Sequence, residues 1–259
     1  ITNANIRSAI RECFFVSFGQ YFSNGECYES EYGVMADWDV SKVTDMQSLF
    51  SGYSSFNGNI TAWDVSSVTD MSNMFENANA FTQDLSDWDT SSLTRLYRIF
   101  YTSNANPKVA NWDVSRVTSM SEVFSRAYSF NQDLSSWDVS SVTTMSEMFH
   151  NAGKYNQDLE SWNTTLVTSM YHMFASTNSF NGKIGSWDVS HVTNMEWMFY
   201  NAYNFNKHLN NWNVLNVTNM NGMFMRARSF NQPLNNWNVS KVTNMNGMFM
   251  RARSFNQPL

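Results

Sequence analysis

The stretch LSSWDVSSVTTMSEMFHNAGKYNQDL, residues 134–159, decides the fold. Its Trp137 belongs to a series, Trp38, Trp63, Trp88, Trp112, Trp137, Trp162, Trp187, Trp212 and Trp237, spaced 25 residues apart with one interval of 24. Trp197 alone stands off this grid. A fixed period of that size means stacked units and overrides the one or two globular domains that 259 residues would otherwise suggest. The expected organisation is an N-terminal cap over residues 1–36 and a repeat solenoid over residues 37–259, with about nine units and the last cut mid-unit.

Two periodicities alternate within the unit. Leu134, Trp137 and Val139 have the L-x-x-L-x-L spacing of a short strand that pairs in parallel with its copies, so the solenoid is expected to be leucine-rich-repeat-like. Met145, Met148, Phe149, Ala152 and Tyr155 then recur at helical spacing, which predicts a short helix with this stripe facing inward. The residue before the first Met (Asp45, Asp70, Ser119, Thr144, Ser169, Asn194, Asn219 or Asn244) is of the type that caps a helix N-terminus. Ser119 with Glu122 and Thr144 with Glu147 have capping-box spacing. One strand and one short helix per unit is therefore the expected pattern.

A single unit offers only a thin apolar strip, which becomes dry when neighbours cover it on both sides. The aromatics ending the stripe, Phe56, Phe81, Phe130, Tyr155, Phe180, Phe205, Phe230 and Phe255, are each worth about 2 kcal/mol when buried. Of 17 methionines, 14 fall at the two Met positions, where core packing is a better explanation than a metal site. At about 4.8 Å per unit the stack makes a rod on the order of 40–45 Å long.

The exceptions carry as much information as the pattern. In the third unit Thr90, Leu93, Arg95, Leu96 and Ile99 replace the usual residues, and the stretch from Asn104 to Val109 is one residue short and lacks its aromatic. Residues 210–234 and 235–259 differ only at Leu215 versus Ser240 and Asn216 versus Lys241. In the cap, Ile6, Ala9, Ile10 and Cys13 mark one face of a helix that starts near Thr2 or Asn3, stops near Gly19 and plugs the first unit. Its aromatic-rich continuation, Phe14 to Phe22, is too apolar for a free tail.

The balance of 22 acidic and 16 basic residues, net −6, argues against a nucleic-acid-binding chain. No Asp or Glu follows Glu196, whereas Lys207, Arg226, Arg228, Lys241, Arg251 and Arg253 do, so a rod with ends of opposite sign is suited to head-to-tail packing. Cys13 and Cys27 are a disulfide candidate that would staple the cap in an oxidising compartment, although two free thiols look the same in sequence. No apolar run is long enough for a membrane span.

Asp39, Asp64, Asp89, Asp113, Asp138, Asn163, Asp188, Asn213 and Asn238 follow the tryptophans. Carboxylates stacked about 5 Å apart repel unless a cation or local hydrogen bonds absorb their charge. A turn-forming Asp tolerates exchange for Asn and a calcium ligand does not, so a structural turn is favoured. The alternative is a calcium-dependent repeat protein that uses Asp39, Asp64, Asp89, Asp113, Asp138 and Asp188. His150, His172, His191 and His208 form no ligand spacing, and no catalytic triad order, phosphate loop or C-x-x-C is present. No cofactor and no enzymatic activity are expected. Glycosylation sequons stand at Asn59, Asn163, Asn216 and Asn238, with Asn59 and Asn216 better placed because Asn163 and Asn238 lie on the ladder. Tyr171, Trp197, Tyr200 and Tyr203 lie at positions expected to face outward and are candidates for an interaction surface.

The motifs Trp137 to Phe149 and Phe130 to Leu134 resemble the 25-residue repeat of BspA-like leucine-rich-repeat surface proteins, known from mycoplasma lipoproteins and from predicted proteins of protists, algae and their large viruses. The resemblance covers residues 37–259, departing from the W-D signature at Asn163, Asn213 and Asn238. The cap, with Thr2-Asn3 opening a helix and Tyr32-Gly33 leading into Trp38-Asp39, resembles the start of the protist versions. It implies surface-exposed adhesion or structural proteins without known catalysis. The function expected is a non-enzymatic, extracellular or cell-surface scaffold for protein or glycan partners, or for assembly with copies of itself or other subunits into a filament or coat.

Overall fold

A computed structural model describes residues 1–14, 24–27 and 30–258 of the chain. A stack of near-identical coils fills most of it, and buried side chains form one continuous core from Ile6 to Met248. Among the described residues the helical segments are α1, Ile6–Phe14, and a short 3-10 turn, Met35–Asp37. The repeats are thus a solenoid without the expected helix and without the expected strand.

The Met stripe is inward-facing, as its spacing requires: Met145, Met148, Phe149, Ala152 and Tyr155 are all fully buried. Its backbone, however, is a run of turns. Met148 N–H donates to Met145 O (3.2 Å), His150 N–H to Glu147 O (3.1 Å) and Ala152 N–H to Phe149 O (3.0 Å). The alternate amides leave the unit altogether. Met145, Glu147, Phe149 and Asn151 donate to Ser169, Tyr171, Met173 and Ala175 of the next unit at 2.7–3.0 Å. Glu147 and Asn151 are left-handed, with φ of 56° and 57°. A left-handed residue at the third position of a four-residue turn swings alternate amides sideways, and such a turn still returns residues i and i+3 to one side, so its periodicity imitates a helix.

The same arithmetic explains the supposed helix caps. Asp45, Asp70, Asn194, Asn219 and Asn244 accept the backbone N–H two residues on through Oδ1, and Ser119, Thr144 and Ser169 do so through the hydroxyl. They open turns where helices were expected, and most of them form isolated parallel bridges from unit to unit, such as Thr144 to Ser169. The capping boxes are absent, because Glu122 is taken by Arg98 and Glu147 by His150.

The predicted strand is also a turn segment. Trp137 N–H donates to Leu134 O (3.1 Å) and Val142 N–H to Val139 O (2.9 Å), so this backbone bonds to itself. Cross-unit bonding there falls mostly to side chains, with backbone bonds from Leu85 N–H to Lys108 O (3.3 Å) and Leu159 N–H to Lys183 O (3.0 Å). From Trp63 on, each indole of the 25-residue series reaches a carbonyl 27 or 28 residues back, as Trp137 Nε1 does to Val109 O (3.0 Å) and Trp162 Nε1 to Leu134 O (2.9 Å). A second side-chain ladder runs through the F-N-Q motif: the Oδ1 of Asn106, Asn131, Asn156, Asn181, Asn206 and Asn231 accepts the backbone N–H of the next Asn in the row at 2.7–3.0 Å. Thr143, Thr168, Thr193, Thr218 and Thr243 hydroxyls donate to the Thr carbonyl one unit back. Phe124, Phe149, Phe174, Phe199, Phe224 and Phe249 stack in a core column with centroids 5.5–5.8 Å apart.

The third unit keeps the stack by local substitutions. Thr90, buried where most units have Val, donates its hydroxyl to Asp113 O (3.1 Å), as Thr164 of the sixth unit does to Asp188 O (2.8 Å). Ala105 fills the place of the missing aromatic.

The cap closes the first unit electrostatically as well as sterically. On α1, Ile6, Ala9, Ile10 and Cys13 are buried as the sequence pattern demands. Neither Thr2 nor Asn3 caps the helix with its side chain. Asn3 Oδ1 instead accepts Thr44 N–H (2.9 Å) and Asp45 N–H (3.2 Å), and Thr2 bridges Lys42, so this segment acts as a preceding rung. Carbonyls that later units satisfy by stacking are open here, and the Arg7 guanidinium covers Gln47 O (3.1 Å) and Asp45 Oδ1 (3.2 Å). In the structure Cys13 is bonded to Cys27, tying α1 to the approach to the first unit. Gly19 and the aromatic continuation beyond Phe14 lie outside the described residues.

Two substitutions test this account of the core and the turns. Tyr155 is the aromatic column's one hydroxyl, fully buried and without a partner. Tyr155→Phe should raise stability by about 1 kcal/mol in a denaturant melt, and a loss would show that the hydroxyl is satisfied. Ser48 is left-handed (φ 58°) at the position that Gly222 and Gly247 occupy in later units. Ser48→Gly should stabilise by roughly 0.5–1 kcal/mol and Ser48→Val destabilise by about 2, whereas a helix at this position would give the opposite order.

Candidate recognition surface

Between the buried Met and Phe residues, the left-handed positions and their neighbours carry the partly exposed side chains of the turn face. The first left-handed column reads Ser48, Asn73, Arg98, Glu122, Glu147, His172, Trp197, Gly222 and Gly247. Because each backbone is pinned to the next by hydrogen bonds, residues from separate units meet in fixed register. Two clusters result.

The first joins units three and four. Arg98 pairs with Glu122 (Nη2 to Oε2, 2.7 Å), and Tyr97 donates its hydroxyl to Glu122 Oε1 (2.9 Å). The guanidinium of Arg98 lies over the rings of Tyr97 and Tyr101 at 5.0 and 4.6 Å, and that of Arg126 over Tyr101 at 5.6 Å. Burial, then Glu122, raises the Tyr97 pKa, and Glu122 raises that of Arg98. This cluster is internally satisfied.

The second spans units five to eight. Tyr171 packs on His172 (4.1 Å), His172 stacks on Trp197 (5.4 Å, 17°), and Trp197 meets Tyr200 (4.6 Å). His150 sets its ring edge-on to His172 at 5.6 Å. The far side of the indole rests against Gly222, where a Cβ would come to 3.4 Å from the ring. Glu147 and Glu196 flank the rings: Glu147 Oε2 lies 3.2 Å from His150 Nδ1, and Glu196 accepts from Asn219 Nδ2 (2.9 Å) and Asn221 Nδ2 (2.7 Å). Burial, reinforced by His150 and opposed by Glu196, pulls the His172 imidazole down to about 4, so it is neutral at physiological pH. A rigid, mostly apolar row of planar groups with hydrogen-bonding edges suits binding by stacking and polar contact.

The structure brings Tyr171, Trp197 and Tyr200 together and leaves Tyr203 in a neighbouring row, its ring under the Arg228 guanidinium (4.2 Å). All four are half-buried and not fully outward as expected. The more exposed aromatics are Tyr97 (38%) and Tyr128 (53%). Arg98, Glu122 and His172 join the surface without a recognisable spacing, because they stand at left-handed positions that many residue types fill, and His150 joins through its ring contact with His172 one unit on.

The Asp ladder is built into turns. Asp39, Asp64, Asp89, Asp113, Asp138 and Asp188 accept through Oδ1 the N–H of the Ser two residues on, at 2.9–3.1 Å. These serine hydrogen bonds hold the carboxyls of Asp39, Asp89, Asp138 and Asp188 below their ordinary range. Asn163 and Asn238 make the same turn. Among the described residues no three His, Cys, Asp or Glu side chains converge as metal ligands. Of the sequon asparagines, all four are exposed, and Asn216 spends its Nδ2 on Ser190 O (2.8 Å). A shallow depression brings Glu160, Ser186 and His208 to one rim. Ser186 Oγ, however, donates to Glu160 O (2.8 Å), so the hydroxyl is committed to a main-chain carbonyl and not to the imidazole.

The His172 environment carries a pH dependence. Its folded pKa lies below the unfolded 6.5, so between about pH 6.5 and 4 the unfolded chain binds a proton that the folded one refuses, and stability falls as pH falls through that window. His172→Asn keeps a residue tolerant of the left-handed backbone and should flatten the decline in Tm between pH 7 and 4.5. An equal decline in both proteins would show that His172 does not sense burial.

A family model described as "Mycoplasma protein of unknown function, DUF285" matches residues 17–106, 96–202 and 180–259. No curated protein matches the chain. Among solved structures, a chain of "Crystal structure of TLR13-ssRNA13 complex" is similar at 12% identity and a TM-score of 0.33, with 85% of this chain and 35% of that chain covered. The present chain thus spans about a third of its length.

Proposed function

We propose that this chain, which belongs to the DUF285 repeat family, is a non-enzymatic recognition scaffold exposed outside the cell or on its surface. The observation that carries this reading is the contiguous Tyr171, His172, Trp197 and Tyr200 row, held in register by the backbone ladder and flanked by Glu147 and Glu196. Rings on adjacent rigid units, backed by a glycine and edged by amides and carboxylates, match what a glycan or a protein loop needs. Their rotamers are restrained in advance, so binding costs little side-chain entropy. The finer likeness to BspA-like adhesins, the Cys13–Cys27 bond and the exposed sequons all fit an extracellular setting. The serine hydrogen bonds of the Asp ladder support a turn role for these aspartates.

Replacement residues for the test come from the chain itself. Tyr171→Ser copies Ser146, Trp197→Asn copies Asn73 and Tyr200→Ser copies Ser51 at aligned positions, so the triple variant should keep its fold. Wild type applied to a printed array of neutral and acidic glycans should bind a subset, and the variant should lose at least about tenfold in signal, equivalent to roughly 1.4 kcal/mol. Failure of the wild type to bind any glycan, together with a monomeric sedimentation profile at high concentration and low salt, would overturn the proposal. So would an unaltered signal from the variant.

A further inference from the structure

Charge is divided along the chain in a way that folding does not require. Residues 1–196 hold all 22 carboxylates against ten cations, while residues 197–259 hold six cations, Lys207, Arg226, Arg228, Lys241, Arg251 and Arg253, and no carboxylate. The carboxylates are lost column by column. The bridge position is Asp45 and Asp70 in early units and Asn194, Asn219 and Asn244 in late ones. The position after Trp is Asp in six units and becomes Asn213 and Asn238 in the last two. These late asparagines still accept the same turn hydrogen bonds, Leu215 N–H to Asn213 (3.3 Å), Ser240 N–H to Asn238 (3.1 Å), Asn221 N–H to Asn219 (3.0 Å) and Asn246 N–H to Asn244 (3.1 Å). The turn is indifferent to the change, and only the surface potential responds.

Guanidinium groups occupy the same end. Arg226 and Arg251 take the second left-handed position of the turn face, φ 61° and 62°, with Arg228 and Arg253 two residues on. Arg226 N–H bonds to Met250 O (2.9 Å) and Ser254 N–H to Arg228 O (3.2 Å), so the four stand in two rows one unit apart. None of the four forms an ion pair among the described residues. Arg226 Nε is buried without a partner, and Arg228 is exposed with a further unit stacked beside it.

We infer that these four arginines form a docking surface for an anionic polysaccharide carrying sulfate or carboxylate groups. This rests on the recognition-scaffold reading but uses an adjoining patch, which meets the aromatic row where Arg226 lies over Tyr200 (6.0 Å). A guanidinium pairs with such groups through two parallel N–H donors, and a regular row of them matches an anion repeated along a polymer. A second copy of this chain is a poorer occupant, because many of its carboxylates are engaged: Asp45 with Arg7, Asp70 with Arg95, Asp84 with Lys108, Glu122 with Arg98, and the turn aspartates with their serines. Single-stranded nucleic acid is also poorer, because it binds by stacking on free aromatic faces, and Tyr203, the ring beside Arg228, already lies under its guanidinium (4.2 Å).

Heparin is the probe. The wild type should be retained on heparin at low salt. Arg226→Gln, Arg228→Gln, Arg251→Gln and Arg253→Gln combined should weaken retention and lower the slope of log affinity against log salt by about 3, the loss expected for four released counterions. Asn219→Asp with Asn244→Asp keeps the turns and should weaken binding severalfold, which separates charge from misfolding. Tyr171→Ser/Trp197→Asn should bind heparin like the wild type, so failure of the aromatic site and failure of this one are distinguishable. Unchanged retention of the arginine variant, tighter binding of an oligo-dT strand than of heparin, or salt-sensitive self-association without heparin binding would each overturn the inference.

Discussion

A chain that reverses direction every few residues has no helix or sheet in which to bury its amides, yet most of this chain packs a dry core. The bond that makes this possible runs between units. At alternate residues of the Met segment the N–H points along the stack to a carbonyl of the following unit, as in Phe149 to Met173 (2.9 Å). It depends on two left-handed residues per unit, four positions apart, such as Glu147 and Asn151. Because all these bonds point the same way, the first unit has open carbonyls, and the Arg7 guanidinium on α1 answers one of them, Gln47 O (3.1 Å). The cap is therefore part of the hydrogen-bond ladder and not merely an apolar plug.

The remaining sides of the coil are held by side chains. Trp indoles and the Asn row supply cross-unit bonds through side chains, and at the Thr row the hydroxyl and the backbone N–H both donate to the Thr carbonyl one unit back. A net gain of about 1 kcal/mol per bond is modest singly, but it is made in every unit and it fixes register. This explains why the residues of the W-D-V-S-x-V-T motif recur while the left-handed positions vary freely: the motif residues bond to neighbours, and the left-handed positions require only a backbone angle. Glu, His, Trp, Arg and Gly all stand there. Variation without loss of fold is what a recognition surface needs.

Electrostatics follow the same division. Turn carboxylates are stabilised by serine hydrogen bonds, so an Asp or an Asn serves the fold equally, and charge along the stack is free to drift or be selected. His172 shows the opposite case, a titratable ring whose burial in the aromatic row keeps it neutral.

The period, the cap helix face and the identity of nearly every core residue were legible from sequence alone. They depend on apolar spacing, and spacing survives whether the backbone is a helix or a chain of turns. The turn role of the Asp ladder was legible too, because Asn substitutes at its rungs. What Met145 to Tyr155 could not disclose is the direction of their amides: residues three and four apart share a side in both geometries, and only contact with the next unit selects the left-handed turns. The aromatic cluster was half visible for a related reason. Tyr171, Trp197 and Tyr200 stand out as large residues, but His150 and His172 join them only because units 25 residues apart are stacked in register. Sequence by itself determined which side chains leave water; the tertiary stack decided which of the others meet.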